Sequence, residues 1–144
     1  MTQHILFDAA GLNLAVEANY VRAVHESLPV QPIAGTRHWF LGLGVVNGKL
    51  LPVTDFGAFA GRQGCTGLTL EVVTNTSVVG LKIDVLRGGS DREMRYREGL
   101  PVNNKPVSPQ ILLSGHLFFS GDTAHHEVDV AALIDSPAFV NISI

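Results

Sequence analysis

The sequence carries one cysteine, Cys65, in 144 residues. A lone thiol excludes an internal disulfide and cannot make a zinc site by itself, so Cys65 reads as a small apolar residue in a Gly-rich turn. Charge is also sparse. Asp, Glu, Lys and Arg make up 16% of the chain, the net charge is −3, and no basic block occurs. Nucleic-acid binders present a cationic stripe, so no nucleic-acid partner is expected. No apolar run approaches the ~18 residues of a membrane span, and Met1-Thr2-Gln3-His4 lacks a basic n-region and an apolar h-region. No membrane insertion is expected, and the chain reads as soluble and cytoplasmic. Fixed-period repeats and low-complexity linkers are missing as well.

What is present points to strands. Hydrophobic residues make up 46%, which excludes disorder and supplies a core for one domain spanning 1–144, with two lobes compatible with that length. Val, Ile and Thr number 32, against 25 for Ala, Glu, Lys and Gln together. Branched side chains are stiff at χ1 and suit a pleated surface better than a helix. Fifteen Gly and seven Pro cut the chain into short stretches, as antiparallel β folds require. The fold class is mainly β.

Along the chain, Ile5-Leu6-Phe7 reads as a strand, Ala10-Gly11 as a turn, and Leu12 to Val16 as a half-buried alternating strand. Tyr20, Val21 and Val24 recur near a 3.6 spacing between Glu17 and Glu26, which predicts a short helix ending before Pro29. Pro29 to Ile33 reads as extended linking chain. Trp39 to Val46 and Lys49 to Val53 flank Asn47-Gly48, a hairpin signal because both residues tolerate positive φ; Pro52 places the returning strand at an edge or bulge. Further strands are expected at Leu68–Thr74, Val78–Val85, Leu112–Phe119 and Glu127–Val130, with a short helix near Ala131–Asp135. The polar stretch Arg87–Pro109 reads as a long loop or irregular crossover.

Several catalytic signals fail on context. Asp55-Phe56-Gly57 spells a kinase magnesium tripeptide, but the phosphate loop, strand lysine and catalytic loop are missing. Gly42-Leu43-Gly44 leads into an apolar strand and has Asn47 where a third Gly belongs, so no helix N-terminus is offered to a pyrophosphate. His125 and His126 are adjacent and would point to opposite faces of a strand, so they read as a solvated turn rather than a metal grip. His4, His25, His38 and His116 are isolated in sequence, and no serine sits in a nucleophile elbow. No enzyme, cofactor or metal is expected.

The order of these features resembles CheW-like chemotaxis adaptor domains. The resemblance rests on the Ile5-Leu6-Phe7 opening, the Gly turn and Leu14-Ala15-Val16; on Trp39-Phe40-Leu41-Gly42 and Asn47-Gly48-Lys49-Leu50-Leu51-Pro52-Val53-Thr54-Asp55-Phe56; on Val78-Val79-Gly80-Leu81-Lys82-Ile83-Asp84; and on Val128 to Ile134. It implies two small five-stranded SH3-like barrels packed side by side, interleaved and sharing a core, with one or two short helices. It also implies a non-enzymatic adaptor between a chemoreceptor signalling tip and the regulatory domain of a CheA-type histidine kinase, in chemotaxis or in systems controlling type IV pilus motility. Weak self-association or ring assembly goes with that role.

The resemblance further implies partner-binding residues: Val21 and Val24 on the first lobe, Val79 and Gly80 on the second, lining a groove for a receptor helix, and Asn47, Gly48 and Lys49 at a turn beside an edge strand. Family members usually carry Arg where Asn47 stands, so this chain keeps the turn but lacks that five-donor side chain. The alternative reading is a small-ligand β-barrel that carries or senses an apolar metabolite, motivated by the positive mean hydropathy of +0.25.

Overall fold

The computed structural model describes residues 3–90 and 111–144, and the backbone of 92–95. β1 (His4–Ala9) and β2 (Leu12–Glu17) form a hairpin. A single 3-10 turn, Ala18–Tyr20, leads into β3 (Val21–His25). The predicted helix between Glu17 and Glu26 is therefore corrected. An apolar spacing of three fits the helical period and not strand alternation, yet the antiparallel ladder to β6 (Thr69–Val73), with a register shift between Val21 and Ala23, overrides it.

β4 (Phe40–Val46) and β5 (Lys49–Asp55) meet at Asn47-Gly48, whose φ values of 51° and 77° are those of the expected tight turn. β5 pairs with β4 along its length but with β7 (Val78–Lys82) only from Val53 onward. Pro52 thus occupies a locally open edge, where its missing N–H costs nothing. Asp55, first residue of the kinase-like tripeptide, caps the short helix α1 (Phe56–Phe59): its Oδ1 accepts from the Ala58 N–H at 3.0 Å.

At Ile83-Asp84 the chain crosses to the other sheet and begins β8 (Val85–Gly89), so the single strand expected over Val78–Val85 is two. Asp84 pins the crossing. Its Oδ2 accepts from the Ala10 N–H at 2.7 Å and its Oδ1 from the Thr66 N–H at 2.9 Å. The stretch expected as a loop holds the end of β8 and β9 (Arg92–Arg95), which pairs with β10 (Leu113–Ser120); its residues 91 and 96–109 lie outside the described residues. β11 (Thr123–Val128) starts earlier than expected and carries His125 and His126 into the sheet, 2% and 4% exposed. They are strand residues, not a solvated turn. The helix α2 (Val130–Asp135) follows as expected, and α3 (Pro137–Val140) adds a turn with Ser136 as N-cap and Pro at its start.

Sheet 1 has the order β8-β1-β2-β11-β10-β9, and sheet 2 the order β3-β6-β7-β5-β4. The architecture is mainly β with two sheets and short helices, as expected, with two corrections. Sheet 1 has six strands, not five, because β9 extends it. Neither ladder closes into a cylinder among the described residues. Both chain ends build sheet 1 while the middle builds sheet 2, so the lobes are interleaved. One face of sheet 1 (Phe7, Leu14, Val16) shares a core with Leu70, Val72 and Leu81 of sheet 2, together with Phe56, Phe59, Leu133 and Ile134 of the helices. Each such side chain, fully buried, contributes about 1.5–3 kcal/mol. The opposite face of sheet 1 encloses a second, small cluster of Leu6, Ala15 and Phe118.

Candidate functional site

The β4–β5 hairpin gathers exposed apolar surface on one face. Val45 and Leu50 are direct cross-strand partners, 61% and 66% exposed. Leu43 and Pro52 form the next pair on the same face, because side chains alternate with period two. Farther along β5, Pro52 and Thr54 enter a groove of about 200 Å³ walled by Phe40, Val79, Ile134, Phe139 and Val140. Leu50 to Thr54 spans roughly 13 Å at a strand's rise, so hairpin tip and groove form one continuous strip. Exposed apolar strips of this kind mark surfaces that meet other molecules.

The groove exists because α3 lies beside sheet 2. Phe139 stacks near Trp39, ring centroids 6.3 Å apart, and meets Phe59 edge to face at 5.4 Å. This aromatic cluster holds Phe139 down and leaves its neighbour Val140 59% exposed at the groove's rim.

Asn47, Gly48 and Lys49 lie together, exposed, at the hairpin tip. Val79, 8% exposed, lends its side chain to the groove wall. Gly80 faces the other way: a Cβ there would lie 2.9 Å from Thr69 Cγ2 and 3.1 Å from Val53 Cγ2, so glycine is required by close packing. Val21 is half-buried and Val24 39% exposed, both on the sheet-edge strand β3. The sequence reading divides Val21 and Val24 from Val79 and Gly80 between lobes, whereas the topology puts all four on sheet 2, with β6 between β3 and β7.

Edge strand β3 is clamped from behind. Glu71 on β6, its side chain 2% exposed, accepts from Arg22 Nε and, at 2.8 Å, pairs with His25 Nε2. Burial pushes the Glu71 carboxyl up, but those two bonds and the positive charge of Arg22 outweigh it and hold the group below the usual carboxylate range. The clamp leaves the outer backbone of β3 open, as at any sheet edge.

Sequence reasoning missed Leu50, Pro52, Phe139 and Val140 as surface residues. Ser136-Pro137 was a readable helix-start signal, yet nothing local says against what α3 packs.

A family model of the CheW-like domain matches residues 3–91. The chain belongs to the CheW-like domain family. Its fold is similar to that of the scaffolding protein TtCheW from Thermoanaerobacter tengcongensis, at a TM-score of 0.73 and 15% identity, covering 95% of this chain and 94% of that one. At that identity the likeness shows the fold alone. No curated protein matches the chain. For a CheW-like chain, the match ends at residue 91, so α2 and α3, which wall the groove, lie outside the matched segment. No helix among the described residues is long and apolar enough to cross a membrane.

Proposed function

We propose that this CheW-like chain is a non-enzymatic adaptor of a chemotaxis-type signalling array, joining a chemoreceptor signalling tip to the regulatory domain of a CheA-type histidine kinase. The observation that carries the reading is family membership over residues 3–91, on a fold similar over 95% of the chain to a scaffolding protein. The exposed strip supports it. An apolar groove suits one face of a partner helix, and the receptor tip is the helical partner in this reading. The hairpin bearing Asn47, Gly48 and Lys49, with Val45 and Leu50 beside them, meets the kinase domain. Val21 and Val24 on β3 offer a further edge for strand pairing in a ring, or for weak self-association.

The alternative of an apolar-metabolite carrier finds no support in the groove, whose ~200 Å³ falls below the roughly 300–1,000 Å³ of small-molecule sites.

Titration calorimetry of the full chain against a CheA-type regulatory domain and a receptor signalling tip tests the reading. Saturable binding to at least one is expected, weakened at least tenfold by Leu50→Asp or Val140→Asp, both exposed enough to leave folding intact. Lack of saturable binding to either partner overturns it.

A further inference from the structure

The adaptor surfaces lie on sheet 2; a different chemistry gathers on sheet 1. His4, Glu17 and Glu127 come from β1, β2 and β11, three adjacent strands, and their ligand-capable atoms all lie within 4.8 Å of one another. The register makes this possible. His4 is the direct partner of Glu17, and Glu127 pairs with Ala15, two residues away on the same face as Glu17.

The cluster is chemically unfinished. The His4 side chain is 5% exposed; its Nε2 contacts a Glu127 oxygen, while its Nδ1 is buried with no hydrogen-bond partner. A buried polar atom left unsatisfied is rare and calls for an explanation. Two carboxylates converge on this one imidazole, and none of the described ion pairs brings a Lys or Arg to either of them. Gathering two carboxylates in a partly buried place is costly unless a cation compensates. Beside them lies a cavity of about 180 Å³ whose polar lining is Glu17, Glu127, Asp129, Tyr20 and Ser114, which gives access from solvent.

We propose that His4, Glu17 and Glu127 form a site for a zinc-class divalent ion. One imidazole and two carboxylates are a borderline donor set that suits Zn²⁺ better than Mg²⁺ or Ca²⁺. Three protein ligands leave a fourth position for water, which the cavity supplies. Zinc at bonds near 2.1 Å holds its ligands about 3.5 Å apart, so the direct His4–Glu127 contact must open to admit the ion while the wider separations in the cluster, up to 4.8 Å, close. Glu17 is half-buried at the last position of β2, beside the 3-10 turn, and its side chain has the freedom to do so. The site would tie β1 to β11 across β2. It does not depend on the adaptor reading.

Calorimetric titration of the full chain with Zn²⁺, and with Co²⁺ followed by its visible d–d absorption, tests the site. One ion per chain is expected, with a rise in melting temperature on binding. Affinity should fall at least tenfold in Glu17→Gln and in His4→Gln, and stay unchanged in His38→Ala, a remote exposed histidine. If His4→Gln fails to fold, Glu17→Gln, changed only at a half-buried carboxylate, still decides. Absence of saturable binding by the unaltered chain, or unchanged affinity in Glu17→Gln, overturns the proposal.

Discussion

The ring of His4 lies flat against that of Phe118, centroids 3.6 Å apart and planes 16° from parallel. His4 is on β1 and Phe118 on β10, and two strands separate them in the ladder. Contact at that distance requires sheet 1 to curl until its second and fifth strands, β1 and β10, face one another. The curl, not a closed ladder, makes the lobe's interior, filled by Leu6, Ala15 and Phe118.

Truncating Phe118 removes the platform for His4 and most of that small cluster. Phe118→Ala is expected to destabilise the chain by about 3–5 kcal/mol, read as a lower urea midpoint. A midpoint within error of the unaltered chain would mean the curl is held elsewhere.

His125 sets an acid limit. Burial pushes its imidazole below the ordinary histidine value, more strongly than the Asp8 carboxylate facing it pulls back up, and the Arg87 charge adds to the lowering. The unfolded chain therefore takes up a proton that the folded chain refuses. Stability is full above the ordinary histidine pKa and declines as pH falls from there toward the lower folded value. Urea midpoints measured between about pH 7.5 and about pH 5 should fall with acid, and His125→Gln should flatten the slope. An equal slope in that variant would assign the effect to other groups.

Asn47 carries positive φ at 51°, a conformation that Asn tolerates and most side chains do not. Asn47→Arg is expected to cost about 1 kcal/mol in stability. Asn47→Gly should be close to neutral. Chemical denaturation of the two variants beside the parent separates these outcomes.

Cys65 is 5% exposed and accompanied by Asp55, whose carboxylate accepts from its backbone N–H. Burial pushes the thiol up to about 12, and the nearby Asp84 and Asp55 charges act in the same direction, against a lowering backbone hydrogen bond from Gly57. Thiolate is the reactive form, so a disulfide-exchange reagent at about pH 8 should label the folded chain far more slowly than the urea-unfolded one. Equal rates would show the thiol to be accessible.

Much of this was legible locally. The Asn47-Gly48 hairpin, the alternation in Leu12 to Val16 and the α2 segment all follow from turn chemistry and period. Val21 and Val24 were misread because their spacing of three is helical, and only pairing with the distant strand β6 makes the segment a strand. His125 and His126 looked like solvated polar residues because burial depends on what lies across the sheet, which no neighbour in sequence reveals.

By itself the amino-acid order determined the strand-rich class, the positions of the turns and the family, since φ preferences and side-chain alternation act over a few residues. Only the folded molecule decided that Leu50, Pro52 and Val140 share one apolar strip, and that His4, Glu17 and Glu127 meet. Those groupings depend on which distant strands pair and how far the sheet bends, and ladder formation between remote segments has no local code.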